Sequence, residues 1–173
     1  FYFRDVTQRK TREQELERRQ RTLRAVYEII ADRDQPFREQ VSSLLELGRE
    51  ELGTDFGSLS RIEGDDYVFE IVDAADDSIR PGDVVPVSAT NCEVAAEEER
   101  TLVLGDIEHD APELTDRAGY TDWGISCYVG APVFVDDEVY GTFCFYDTEP
   151  RADQFLTWEV TLVDLMSRWV SNG

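Results

Sequence analysis

The sequence predicts an α+β fold, an antiparallel β-sheet flanked by helices and entered through a long N-terminal helix. Three observations lead there. Residues 8–35 are a polar run without Gly or Pro, and their composition favours helix. From Asp55 the apolar period shortens from helical to strand-like, and two pairs of strand-like segments are each joined by a short acidic turn. A long amphipathic stretch closes the chain. Strands joined by tight turns run antiparallel, and the helices around them bury their apolar stripes on the sheet.

Taken in order, Phe1, Tyr2 and Phe3 read as the end of a strand, and Asp5, Val6 and Thr7 hand over to the first helix, with Thr7 and Asp5 placed to cap it. Leu16, Leu23 and Ile30 recur at sevenfold spacing with Val26 between them, about two and a half heptads interrupted by Arg19. Pro36 ends this segment. A second helix is expected over Phe37 to Leu52, with Phe37, Val41, Leu44, Leu45 and Leu47 on one stripe and Gly53 as the stop. Strands follow at Phe56 to Ile62 and Tyr67 to Val72, around a turn at Glu63, Gly64, Asp65 and Asp66. Ser78 to Pro86 reads as a loop. Ser88 or Thr90 is expected to cap a short helix through about Glu99, before a strand at Thr101 to Leu104. Gly105 to Gly124 is long, acidic and irregular, with a helical turn around Pro112 to Ala118, and segments of this kind more often carry function than fill space. A second hairpin spans Ile125 to Val135 and Glu138 to Tyr146 around Asp136 and Asp137. The closing helix, Asp153 to Val170, aligns Phe155, Trp158, Leu162, Leu165, Met166 and Trp169.

Charge narrows the function classes. The 173 residues carry a formal net charge of −21, yet residues 1–24 hold eight basic side chains against four acidic ones, a net of +4, which leaves −25 for the rest. Such a shift marks a connector leading into a globular body. Sixteen of the 17 basic residues are Arg, and an acidic, Lys-poor composition suits a salt-rich cytoplasm, where screening shortens to about 3 Å near molar salt. An acidic interaction surface is the alternative. Nucleic acid is not an expected partner for a body without Lys and Arg clusters. No apolar run approaches the ~20 residues of a membrane helix, so a cytoplasmic location without membrane contact is expected. The opening on Phe1 inside a strand is expected of a piece of a longer protein. Cys92, Cys127 and Cys144 lack CxxC spacing, and His109 is the sole histidine, so no zinc set is complete.

The segment YVGAPVFVDDEVYGTFCFYD, Tyr128 to Asp147, followed by Phe155 and the long closing helix, resembles the C-terminal half of a GAF domain. TLVLGDIEHD, Thr101 to Asp110, resembles that family's strand ending in an Asp, and the resemblance covers about residues 31–173. FYFRDVTQRKTREQEL, Phe1 to Leu16, resembles the final strand and exit of a PAS domain, where an Asp-Val-Thr triplet opens the signalling helix. The resemblances imply a PAS exit strand and connector over 1–35 and a GAF domain over 36–173. They further imply a cytoplasmic sensor of the histidine-kinase or bacterio-opsin-activator-like type, with an upstream PAS domain, a downstream output domain and a haloarchaeal composition.

In GAF domains the excursion between the two hairpins builds a small-molecule pocket. On that resemblance Cys92, Asp106, Tyr120, Trp123 and Cys127 are the pocket candidates; the alternative is that Tyr120 and Trp123 only pack the loop onto the core. Bilin-binding relatives attach the pigment to a Cys followed by His, whereas here Glu93, Tyr128 and Phe145 follow the cysteines. His109 sits in an acidic segment unsuited to an axial haem ligand, and the Asn-Lys-Phe-Asp-Glu pattern of cyclic-nucleotide GAF domains has no counterpart. No cofactor or metal is therefore expected, and the identity of a small ligand stays open. The expected function is a non-enzymatic sensory or relay module that forms a homodimer through its entry and closing helices. The alternatives are a GAF-type free methionine sulfoxide reductase, suggested by three cysteines, and a structural dimerisation domain without ligand.

Overall fold

The computed structural model describes residues 2–172. Tyr2 and Phe3, expected to end a strand, instead begin the 30-residue helix α1 (Tyr2–Ala31), and Phe1 lies outside the described residues. An extended segment without a ladder partner leaves its backbone groups unpaired, whereas a helix pairs them within itself. Asp5 and Thr7 accordingly lie inside α1 rather than at its cap. The helix stops at Ala31, short of Gln35, where the buried Gln40 amide donates to the carbonyls of Ile29 and Asp32 at 3.1 and 3.0 Å. Those are the carbonyls that a helix end leaves without intrahelical partners.

Helix α2 (Phe37–Leu52) follows as the apolar spacing predicts. Strands β1 (Phe56–Glu63) and β2 (Asp66–Ala74) form the first hairpin, and the segment expected to be all loop adds an edge strand, β3 (Val84–Pro86). After a 3-10 turn at Val87–Ala89 comes α3 (Cys92–Glu98), with Asn91 rather than Ser88 or Thr90 at the cap position. The Thr90 hydroxyl turns back to the Val87 carbonyl instead, at 2.8 Å. The excursion continues through β4 (Leu102–Leu104), α4 (Ile107–Asp110), a 3-10 turn at Pro112–Asp116 and α5 (Ala118–Thr121). Strands β5 (Cys127–Val135) and β6 (Glu138–Asp147) make the second hairpin, and α6 (Thr157–Asn172) closes the described chain. Helix α6 begins four residues later than the sequence suggests, where the Leu156 N–H donates to the Glu159 carboxylate at 2.8 Å. That bond is one half of a capping box.

The six strands form one antiparallel sheet in the order β3-β2-β1-β6-β5-β4. Its helical face meets α1, α2 and α6 through Leu59, Val129, Ala131, Val133, Phe143 and Phe145. On α6 the buried stripe is Leu162, Val163, Met166 and Val170; Leu165, assigned to that stripe from spacing, is 43% exposed. Glu51 of α2 joins the three helices: it accepts from Thr22 at 3.1 Å and from the Trp158 indole at 3.3 Å, and it lies 3.5 Å from the Arg18 guanidinium. Val26 is buried here, so it belongs to the core and not to a surface seam. Leu16, Leu23 and Tyr27 point outward, 56%, 42% and 67% exposed.

Candidate functional site

Strand parity decides what faces the other side of the sheet. In β6, Phe143 and Phe145 turn towards the helices while Cys144 and Tyr146 turn away, and in β5 Tyr128 turns away from its neighbours Cys127 and Val129. Phe56, Tyr67 and Phe69 share that second face. Pairing places Tyr128 opposite Tyr146 and Phe56 opposite Tyr146, whose rings stack 5.4 Å apart. The excursion lies over this face as a roof, with Val87, Cys92, Ile107, Ala111 and Leu114 buried against it. Arg117 fastens the roof: one guanidinium nitrogen donates to the carbonyls of Ser88 and Thr90 at 3.1 and 2.9 Å and meets the Glu93 carboxylate at 2.9 Å.

Cys92, at the start of α3, is held in a compact polar cluster. The Tyr128 hydroxyl donates to its sulfur at 3.0 Å, and the Tyr67 hydroxyl lies 3.0 Å from the same atom and 3.0 Å from the Thr142 hydroxyl. The Cys144 sulfur is 3.8 Å from that of Cys92 and 3.4 Å from the Ser58 hydroxyl. Burial pushes the Cys92 thiol up, but hydrogen bonding with Cys144, Thr142, Tyr128 and Tyr67 outweighs it and brings it down to about 7. Its own hydrogen bond to Cys92, together with burial, holds Cys144 well above the ordinary thiol value. Burial likewise raises Tyr67 and Tyr128, so both phenols stay protonated. Gly130 makes room for this cluster. A Cβ there would run into the Tyr128 phenol and the Cys144 Cβ.

Beside Cys92 lies a chamber of about 30 Å³, walled by Tyr67, Thr90, Asn91, Gly119, Tyr128 and Tyr146 among others. It adjoins a cleft of about 430 Å³, with which it shares Phe69, Ile79, Trp123, Ile125 and Tyr146. The cleft is thus mostly aromatic and aliphatic. Its polar lining is Ser78, Thr148 and three carboxylates, Asp76, Asp83 and Asp122, and no Lys, Arg or His lines it. Hydrogen bonds from Ser78 hold the Asp76 carboxyl below its usual value.

Of the residues singled out from sequence, Cys92 and Trp123 line the chamber. Cys127 does not: it lies one residue out of phase with Tyr128 and faces the helices, where burial and the Asp147 carboxylate push its thiol up to about 11. Asp106 is the cap of α4, accepting from the His109 N–H at 3.4 Å, and its side chain is not in the cleft wall. Tyr120 lies in the roof itself, on α5, with its hydroxyl donating to Glu108 at 3.4 Å, also outside the cleft lining. His109 is exposed. Among the described residues, no group of three or more His, Cys, Asp or Glu is placed to hold a metal ion. Tyr67, Tyr128 and Cys144 were not singled out; the near-continuous apolar runs YVGAPV and TFCFY mark Tyr128 and Cys144 as positions in strands covered on both faces, without showing which face each takes.

The chain thus combines an antiparallel sheet, a helical layer on one face and a roofed apolar cleft on the other. Residues 36–173 match the GAF domain, and the chain belongs to that family. The fold is similar to that of the GAF domain of an Acinetobacter phosphoenolpyruvate-protein phosphotransferase, at TM-score 0.69 and 12% identity over 89% of this chain and 90% of that one. It is also similar to the chromophore-binding domain of Stigmatella aurantiaca phytochrome P1, at TM-score 0.69 and 11% identity over 89% of this chain and 59% of that one. A third similarity is to the free methionine-R-sulfoxide reductase of Neisseria meningitidis, at TM-score 0.65 and 13% identity over 85% and 82%. No curated protein matches the chain in sequence.

Proposed function

We propose that this GAF domain is the sensory module of a cytoplasmic signal-transduction protein, and that its cleft binds a small, largely apolar ligand that is neutral or cationic, without a covalent bond. The supporting observation is the lining itself: aromatic and aliphatic walls with three carboxylates and no basic side chain. Three like charges repel a phosphate or carboxylate ligand and favour an amine. A reductase reading draws on Cys92, but that residue is 3% exposed and borders a chamber of only about 30 Å³, too small for methionine sulfoxide. The proposal therefore includes no methionine sulfoxide reduction.

Signal output in this reading runs through a homodimer between an upstream PAS domain and a downstream output domain. Leu16, Leu23 and Tyr27 lie outward on α1 at spacings of seven and four, the pattern of a two-helix seam. A ligand that reshapes the roof shifts the sheet against the helical layer, and a paired α1 carries that shift onward.

Native mass spectrometry of the purified chain with its absorption spectrum tests both parts. The expected result is a dimer that becomes a monomer with Leu16→Glu and Leu23→Glu together, shows no visible absorption, and has its bare sequence mass after denaturation. A pigment mass that survives denaturation, or a monomer indifferent to both substitutions, overturns the corresponding part.

A further inference from the structure

We propose that Cys92 and Cys144 form a dithiol redox site that reacts with small hydroperoxides and closes to a disulfide between α3 and β6. The two sulfurs are 3.8 Å apart, and a disulfide needs about 2.05 Å. Closing that gap of under 2 Å is within the reach of side-chain rotation on an element as short as the seven-residue α3. The third thiol is excluded by topology, because Cys127 faces the opposite side of the sheet.

The surroundings divide the roles. Cys92 borders the chamber, the Tyr128 hydroxyl donates to its sulfur, and the Tyr67 hydroxyl lies 3.0 Å from the same atom. A sulfur so solvated carries thiolate character, which is the nucleophilic form. Cys144 stands behind it as a protonated thiol, away from the chamber lining and beside Ser58. The chamber of about 30 Å³ has room for roughly two water-sized spheres. That matches hydrogen peroxide in size and excludes bulky oxidants such as a disulfide.

The Cys92 thiolate attacks one peroxide oxygen; the S–O bond forms as the O–O bond breaks, leaving a sulfenic acid and hydroxide. The hydroxide takes up a proton and becomes water. The Cys144 sulfur then attacks the Cys92 sulfur; the S–S bond forms, the S–O bond breaks, and the departing oxygen leaves as a second water with the Cys144 proton. In sum, two thiols and one peroxide give one disulfide and two waters, a two-electron oxidation. An external thiol reductant returns both electrons. Because Thr90, Asn91 and Cys92 wall the chamber, drawing α3 onto β6 alters the inner end of the cleft. The inference stands apart from the identity of any cleft ligand.

The test uses the reduced full chain with hydrogen peroxide, quenched by iodoacetamide under denaturing conditions. The three free cysteines are expected to fall to a single alkylatable thiol, Cys127, with the Cys92 and Cys144 peptides joined and both thiols restored by dithiothreitol. Cys144→Ser is expected to give no disulfide and to trap Cys92 as a dimedone-reactive sulfenic acid. Cys127→Ser, altered on the far face, is expected to form the same disulfide at an unchanged rate, and it keeps the test informative if Cys144→Ser fails to fold. Three thiols still alkylatable after treatment, a disulfide that includes Cys127, or Cys127 oxidising as fast as Cys92 overturns the proposal.

Discussion

Replacing Gly141 by alanine is expected to remove about 3 kcal/mol of stability, a large share of the roughly 5–15 kcal/mol that keeps a domain folded. Gly141 lies on β6, paired with Arg61 of β1, at the centre of the sheet. A Cβ built there overlaps the backbone carbonyl of Ser60 and crowds the Arg61 Cα, and backbone in a central strand cannot rotate aside as a side chain would. Relief requires the β1–β6 ladder to part, which strains the bonds that hold the two hairpins together. Urea titration followed by circular dichroism measures the effect. A loss below about 1 kcal/mol would mean that the two strands approach less closely than described.

Replacing Arg151 by alanine is expected to cost about 3 kcal/mol, or roughly 10 °C in melting temperature for a chain of this size. Its guanidinium lies 3.2 and 3.3 Å from the two oxygens of the buried Glu159, donates to the Leu52 carbonyl at 2.6 Å, and sits 4.2 Å over the Phe155 ring. Its backbone N–H donates to Gly105 at 2.8 Å. The side chain thus joins the end of α2 to α6 and the segment leading into it, while the backbone bond to Gly105, which alanine keeps, holds the exit of β4. Alanine strands Glu159, 5% exposed, without its cation and adds to the negative charge of an acidic chain. Arg151→Lys keeps the charge but loses the planar fork, and about half the loss is expected. Denaturant melts of the two variants check the order; equal stability of wild type and Arg151→Ala would refute it.

Much of this architecture was legible because strand and helix periods leave marks that burial on one side enforces. The two hairpins, α2 and its stop, and the order of elements follow from alternation, turn residues and one apolar stripe. Three features were not legible for physical reasons. Tyr2 and Phe3 are strand-forming residues by propensity, yet a segment without a partner strand pairs its backbone better as helix. The edge strand β3 is three residues long, ends on Pro86 and leaves no periodic signal. The site was only half visible, because β5 and β6 are buried on both faces, so that Cys127 and Tyr128, or Phe143 and Cys144, look alike until the roof is placed. Cys92 and Trp123 were named as candidates by their position in the excursion. The pairing of Cys92 with Cys144 joins residues 52 positions apart, and no local pattern announces it.

The most direct test of the proposed cleft is calorimetric titration with tryptamine and with indole-3-acetate, one aromatic ring carried on opposite charges, at about 0.15 M salt. The apolar walls at Phe69, Ile79, Trp123 and Ile125 are predicted to take the ring, and Asp76, Asp83 and Asp122 to select the amine. Tryptamine is therefore expected to bind about tenfold more tightly, a difference of ~1.4 kcal/mol, with the preference reduced by Asp83→Asn and Asp122→Asn together. Indole-3-acetate binding as well as tryptamine, no binding of either ring at millimolar concentration, or a preference that survives both substitutions would contradict the account.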